Sequence, residues 1–284
     1  MMRRASTRVT PRPFLKWVGG KGQLLEELLA RVDKAGDFGR YHEPFVGGGA
    51  LFFELARLGR LGRKKAFLSD TNNSLIETYE AVKEDVDAVI ALLQDHKKKH
   101  SEQYFYEVRA SVPSKLIARA ARIIYLNKTC FNGLYRENSK GKFNTPFGKY
   151  KNPLICDEEN LRAVSKALSV ASLKNQAFDH VLEAAKPGDL VYFDPPYHPI
   201  SKTASFTSYD KSGFGEDAQQ KLADVFAELH HKGVLVLLSN SYTPLIQQLY
   251  KDRGFRIGTV QATRLVNSRA DRRGKISEAL IQNF

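Results

Sequence analysis

The chain has 284 residues, 42% of them hydrophobic, which suffices for a sizeable core and excludes general disorder. Its 44 Lys and Arg against 31 Asp and Glu leave a formal net charge of +13, which points to a polyanionic partner. No apolar run is long enough to cross a bilayer, and the basic N-terminus has no apolar stretch behind it. Cys130 and Cys156 match no metal-ligand spacing and form no disulfide framework, so a cytoplasmic protein without a metal is expected.

Residues 1–12 carry Arg3, Arg4, Arg8 and Arg12 without an acid and read as an arm, either solvated or touching phosphates. The segment Pro13 to Lys21, PFLKWVGGK, holds the only Trp of the chain between two lysines. Its Gly-Gly-Lys lacks the spacing of a nucleotide-binding P-loop, which argues against an NTPase. Trp17 packs in a core or lines a pocket, and Lys21 is within sequence reach of a carboxylate. A helix is predicted over residues 23–32.

Residues 42–46 form a short strand that runs into Gly47-Gly48-Gly49 and a helix over residues 50–58, whose apolar face is Leu51, Phe52, Leu55 and Leu58. Strand, glycine turn and helix open a nucleotide-binding fold. Phe52 breaks the dinucleotide fingerprint, so the turn suits a close backbone approach to another ligand. A second strand, residues 66–69, ends at Asp70, which either hydrogen-bonds ribose hydroxyls or caps the next helix.

One amphipathic helix is predicted over residues 74–96 from Leu75, Tyr79, Val82, Val86, Val89, Ile90 and Leu93. The run His96 to His100 suits its C-terminus, and another helix spans residues 114–126. Residues 128–151 differ in character. Lys128, Arg136, Lys140, Lys142, Lys149 and Lys151 stand against Glu137 alone, interleaved with Phe131, Tyr135, Phe143, Phe147 and Tyr150. A turn at residues 138–141 makes a hairpin, read as a groove reader or as a surface hairpin with a small aromatic core.

A helix over residues 157–168, a strand over 173–178 and a short helix over 179–185 lead to the apolar strand Leu190–Phe193. It stops at Asp194-Pro195-Pro196-Tyr197. The prolines forbid continuation, so a carboxylate is set at the carboxyl end of a buried strand, where open α/β sheets bind ligands. An exocyclic amine on a base is a poor nucleophile because its lone pair is delocalised. Asp194 and the Pro195 carbonyl can each accept one of its hydrogens, favouring a pyramidal nitrogen, and Tyr197 can stack on the base. The alternative is a strand-ending turn with an ordinary capping Asp.

Residues 198–210 read as a lid or a plain loop. A helix over 216–231, a strand over 234–238, a helix over 243–252 and strands over 255–261 and 276–284 complete the chain. The loop between the last two strands holds Arg264, Arg269, Arg272, Arg273 and Lys275 against Asp271.

In this order FLKWVGGK, EPFVGGGALFF, the basic hairpin and DPPY resemble the Dam-type, D12-class family of DNA adenine-N6 methyltransferases, from about Phe14 to Phe284. The resemblance implies an α/β, Rossmann-like sheet with helices on both faces, binding S-adenosylmethionine. It implies a catalytic domain from residues 1–70 and 166–284, and an inserted target-recognition subdomain at 71–165. It assigns Trp17, Lys21, Phe45, Gly47, Gly49, Asp70, Phe178 and Asp194 to the cofactor, and Asp194, Pro195, Pro196 and Tyr197 to catalysis. FNGLYR with NTPFGKYK resembles the form of members that recognise GATC in double-stranded DNA. Arg136 would then read the inner guanine of the partner strand, Leu134 and Pro146 would contact the outer base pair, Asn132 would be a wedge beside a flipped base, Lys149 and Tyr150 would contact backbone or flanking bases, and Lys16 would reach the first guanine. Many relatives carry an acid facing the cofactor adenine where this chain has Ala177, so either Asp179 substitutes or backbone alone holds the adenine. An RNA or single-stranded-DNA amino-methyltransferase, and a non-catalytic DNA-binding regulator, are the rival readings. A cognate restriction endonuclease acting on the same site is left open.

Overall fold

The computed structural model describes residues 9–17, 19, 21–22, 24–138, 141–199, 214–263 and 275–284. The start of the arginine arm, nearly all of the predicted lid and the arginine-rich loop before the last strand lie outside the described residues. The chain divides into two compact units: Met1–Gly20, Gly47–Arg63 and Asn72–Asn175 make the first, and Lys21–Val46, Lys64–Thr71 and Gln176–Phe284 the second. Residues 72–165 of the predicted insertion fall in the first unit. Among the described residues no helix is long and apolar enough to cross a membrane.

The second unit is built on α1 (Leu25–Ala35), β1 (Tyr41–Glu43), β2 (Ala66–Asp70) and β4 (Leu190–Phe193), followed by β5 (Leu235–Ser241), β6 (Arg256–Thr263) and β7 (Lys275–Gln282). Its strands lie in the order β2-β1-β4-β5-β7-β6. β1 pairs in parallel with both β2 and β4, and β4 with β5, whereas β7 runs antiparallel to β5 and β6. The strand order reverses at β1, so β2 and β4 lie on its two sides, the crevice position for ligands in open α/β sheets. β1 is shorter than predicted because Pro44 follows Glu43 and cannot donate to a ladder. β5 is longer than predicted and takes in Ser239, Asn240 and Ser241.

Every residue of β4 is buried, as a central parallel strand requires. Val191 and Phe193 share a core with Val236, Leu238 and Ile281. Leu222 and Phe226 of a helix Glu216–His231 and Ile246 and Tyr250 of a helix Pro244–Lys251 cover it. A short helix Val181–Ala184 completes the unit. The predicted strand over 173–178 is displaced: the strand β3 is Ala171–Asn175, within the first unit, and Phe178 opens a 3-10 turn.

The first unit is helical apart from β3. It contains α2 (Ala50–Arg57), α3 (Asn73–Glu84), α4 (Val86–Lys99), α5 (Glu102–Ala110), α6 (Leu116–Thr129) and α7 (Glu158–Leu168). The single helix predicted over residues 74–96 is two helices. Asp85 leaves helical geometry at φ −144°, and its side chain accepts from the Ala88 N–H, capping α4. The apolar spacing from Val82 to Val86 to Val89 continues across that break, so periodicity could not reveal it. α6 packs against α3, α4 and α5, which is why Ile123, Ile124, Tyr125 and Leu126 are all buried. The predicted hairpin pairs through isolated antiparallel bridges, Cys130 to Phe147 and Glu137 to Phe143.

Candidate active site

In the second unit, Asp194 follows directly from β4, and its carboxylate is the centre of a small polar network. Lys21 Nζ lies 2.8 Å from Asp194 Oδ1, with the two side chains 7% and 19% exposed. Ser239 Oγ on β5 donates to the same oxygen at 3.0 Å and lies 3.0 Å from the Tyr192 hydroxyl. Burial pushes the Asp194 carboxyl above its ordinary value, and Lys21 and Ser239 oppose that rise. The Lys21 ammonium also sits over the Tyr197 ring, 4.3 Å from its centroid. A cation is thus held between a carboxylate and an aromatic face.

The backbone after Asp194 is clamped by side chains from elsewhere. Gln219 Nε2 donates to the Pro196 carbonyl at 2.9 Å, and Asn240 Nδ2 donates to Gln219 Oε1 at 2.9 Å. Asn240 Oδ1 accepts from the His198 N–H at 3.1 Å. The Tyr197 hydroxyl donates to Glu278 Oε2 at 2.6 Å, and burial, then Asp194 and Glu278, keep that phenol neutral far beyond physiological pH. Ser239, Gln219, Asn240 and Glu278 were invisible to sequence reasoning. Each is an ordinary polar residue in a helix or strand, and only tertiary pairing brings it to the motif.

The other assigned residues of this unit also sit near carboxyl ends of strands. Phe45, just past β1, stacks on Phe178 with centroids 5.3 Å apart. Asp70 is the last residue of β2. Ala177 is exposed, and Asp179 pairs with Lys221 Nζ at 2.5 Å, which holds its carboxyl below the usual range.

In the first unit the glycine turn is dictated by crowding. Gly47 has φ +45°, and a Cβ there would lie 3.0 Å from Trp17 Cδ1. Gly49 has φ +65°, and a Cβ there would lie 2.9 Å from the Tyr79 hydroxyl, which itself donates to the Gly47 carbonyl. The turn is therefore a backbone surface with no side chain at either position. Trp17 stacks on Tyr135 of the basic segment, centroids 4.9 Å apart.

Asn127, fully buried near the end of α6, ties the basic segment together. It accepts from the Lys16 N–H at 2.7 Å and donates to the carbonyls of Lys16 and Gly133. Lys16 lies across Gly133, with its ammonium 5.1 Å from the Tyr150 ring centroid. Asn132 and Lys149 are both exposed in left-handed backbone, at φ 55° and 49°. Phe131 beside Asn132 is 53% exposed. Arg136 is exposed, its Nε donating to Asn144 Oδ1 at 2.7 Å. Pro146 is exposed and its carbonyl accepts from the Phe131 N–H, while the Leu134 carbonyl accepts from Thr145 Oγ1. Lys16, Asn132, Arg136, Pro146 and Lys149 are thus solvent-facing. No group of His, Cys, Asp or Glu among the described residues is arranged to hold a metal.

The chain is similar along nearly its whole length to known DNA methyltransferases. The chain is 42% identical over 285 residues to the type II methyltransferase M1.LlaDCHI of Lactococcus lactis subsp. cremoris, covering 98% of this chain and 97% of the relative. It is 43% identical over 292 residues to the type II methyltransferase M.MjaIII of Methanocaldococcus jannaschii, covering 96% and 99%. It is 32% identical over 279 residues to the DNA adenine methylase of Vibrio cholerae, covering 95% of each. Residues 17–266 match the model of the D12 class N6 adenine-specific DNA methyltransferases, and the chain belongs to that family.

Proposed function

We propose that this enzyme transfers a methyl group from S-adenosylmethionine to N6 of the adenine in GATC, after flipping that adenine out of duplex DNA. The observation that carries the chemistry is the placement of a nitrogen cation against both Asp194 and the Tyr197 ring. An exocyclic amine presented to the same two groups would donate one hydrogen to Asp194 and a second to the Pro195 carbonyl, with its base against Tyr197. Pro196 holds the turn rigid. The amine nitrogen is thereby pyramidalised before reaction, so the reorganisation is complete in the folded protein.

The residues present fit the cofactor. In the second unit acids stand at the carboxyl ends of β2 and β4, at Asp70 and Asp194. In this reading Lys21, Phe45, Asp70, Phe178 and Asp194 of the second unit hold it. When bound, S-adenosylmethionine supplies a methyl carbon on a sulfonium, the C–S electron pair returning to sulfur as the amine lone pair forms the N–C bond. The adenine nitrogen then gives up a proton to water.

Site choice falls to the basic segment, with residues 71–165 as a recognition subdomain. Arg136 is assigned to one guanine, Leu134 and Pro146 to the outer base pair, and Asn132 to the wedge. Lys16 is assigned to the first guanine, and Lys149 and Tyr150 to backbone or flanking bases. Arg136→Ala is expected to cost about 1–3 kcal/mol and to relax readout at one guanine. Steady-state kinetics on duplexes varied at each position check this, and an equal loss on every sequence would reassign Arg136 to a phosphate.

The specificity is tested by incubating plasmid with the protein and S-adenosylmethionine, then digesting with methyl-sensitive and methyl-dependent GATC nucleases. Protection from the first with cleavage by the second is the expected outcome. Unchanged digestion, with labelled methyl appearing in other duplexes or in RNA, would sink the GATC assignment. A cognate endonuclease on the same site belongs to this reading, and cleavage of unmodified GATC DNA by an extract of the source cells would reveal it.

A further inference from the structure

We propose that Glu278 is a positioning residue for methyl transfer, holding Tyr197 by its hydroxyl so that the ring presents a fixed face to the amine at Asp194. The inference rests on the reading above, in which Tyr197 receives the target base. Glu278 lies on β7, in register with Ser241 of β5, and is followed by the apolar residues Ala279, Leu280 and Ile281. It is only 9% exposed. A carboxylate so placed loses most of its hydration, a cost that persists only when the group has partners or a task.

Its partner is the Tyr197 hydroxyl at 2.6 Å, a short bond to an acid. The remaining clamps on the motif act on backbone: Gln219 on the Pro196 carbonyl and Asn240 on the His198 N–H. Neither restrains rotation of the Tyr197 side chain. The bond from Glu278 fixes the far end of that ring, which sets the plane on which a base would stack.

The same bond has an electronic consequence. The carboxyl oxygen that accepts from the phenol enriches the ring, and an enriched face attracts cations more strongly. The Lys21 ammonium, 4.3 Å from the ring centroid and 2.8 Å from Asp194, marks where that face meets a charged nitrogen. Positive charge develops on the amine during transfer, so a ring fixed and enriched here favours the transition state over the ground state.

The test uses the full chain with Glu278→Leu, Glu278→Gln, Tyr197→Phe and the Tyr197→Phe/Glu278→Leu pair. Measured are kcat, KM for duplex DNA, the thermal midpoint, and the fluorescence of a cofactor-free complex with 2-aminopurine at the target position. Glu278→Leu is expected to lower kcat about tenfold, the worth of one buried hydrogen bond, with KM changed less than about twofold. The 2-aminopurine complex should brighten as stacking loosens. Glu278→Gln keeps an acceptor and is expected to recover most of kcat. In the Tyr197→Phe background Glu278→Leu should cost nothing further, because the bond is already gone.

Wild-type kcat in Glu278→Leu, unchanged fluorescence, or an equal loss in both backgrounds would overturn the role of Glu278. If the leucine variant does not fold, Glu278→Ala runs through the same cycle with the same criteria. No methylation of duplex DNA by the unaltered chain would instead sink the underlying reading, so the two failures are distinct.

Discussion

Replacing Asp194 by alanine is expected to abolish methyl transfer, a loss of at least about 10²–10³-fold in kcat, while duplex DNA binding survives. The size follows from the role proposed for the carboxylate, a preorganised acceptor that would turn a delocalised amine into a nucleophile. DNA binding survives because the exposed basic residues Lys16, Arg136 and Lys149 lie in the other unit. Alanine also leaves the Lys21 ammonium buried without this partner, so Asp194→Asn is the companion variant that keeps the packing. Labelled-methyl incorporation beside a gel-shift titration decides it, and sustained turnover in Asp194→Asn would refute the assigned role.

The same network fixes a pH dependence. In the proposed role Asp194 acts as an ionised acceptor for the amine, and burial raises its pKa above the ordinary carboxylate value. Activity should therefore fall with falling pH from a point above the usual carboxylate range. Lys21 lowers that pKa, so Lys21→Met is expected to move the acid limb to higher pH. A limb that stays put in Lys21→Met would mean another group sets it.

Asp189→Ala is expected to destabilise the second unit by about 3–5 kcal/mol, the range for breaking a buried ion pair by removing one partner. Asp189 is 3% exposed at the start of β4. It accepts from Arg40 Nη2 at 2.6 Å, from the backbone N–H of Arg40 and of Lys186 at 2.9 Å each, and lies 3.0 Å from His42 Nε2. Removing it takes this acceptor from all four groups, leaving the Arg40 guanidinium its bond to the Ala184 carbonyl, and it loosens the joint that aligns β1 with β4 at Tyr41 and Leu190.

Burial pushes the Asp189 carboxyl up, but Arg40, the two backbone N–H groups and His42 outweigh it and hold the pKa at about 2. A carboxylate depressed from 3.8 to about 2 contributes roughly 2–3 kcal/mol above pH 3.8 and loses it as pH falls through about 2. Chemical denaturation at stepped pH checks this. The wild-type stability should drop between roughly pH 4 and 2 by that much more than in Asp189→Asn. Parallel curves would show that Asp189 is not the linked group.

Much of the site could be read in the chain because its parts are local. DPPY joins strand former, breaker, acid and aromatic within a few residues, and the prolines enforce the geometry wherever the strand lies. The glycine turn is likewise local, since left-handed backbone at Gly47 and Gly49 is a property of those positions. Boundaries that depend on capping were harder: the break at Asp85 interrupts no apolar period, and α5, which begins after the Ser101 cap, was not read as a helix at all.

The sequence by itself determined the α/β class and the adenine-methyltransferase family, and it singled out the acid, the aromatic and the glycines of the candidate site, because these follow from residue order over short spans. Tertiary structure alone decided which distant polar residues surround them. Lys21 and Ser239 meet Asp194, Gln219 and Asn240 clamp the backbone behind it, and Glu278 takes the Tyr197 hydroxyl. The physical reason is that a polar residue on a strand or helix has the same local signature whether it faces water or a buried partner. The register of β5 against β4 and β7, set by apolar packing along whole strands, brings in Ser239, Asn240 and Glu278, and the packing of the helix Glu216–His231 on that core brings in Gln219.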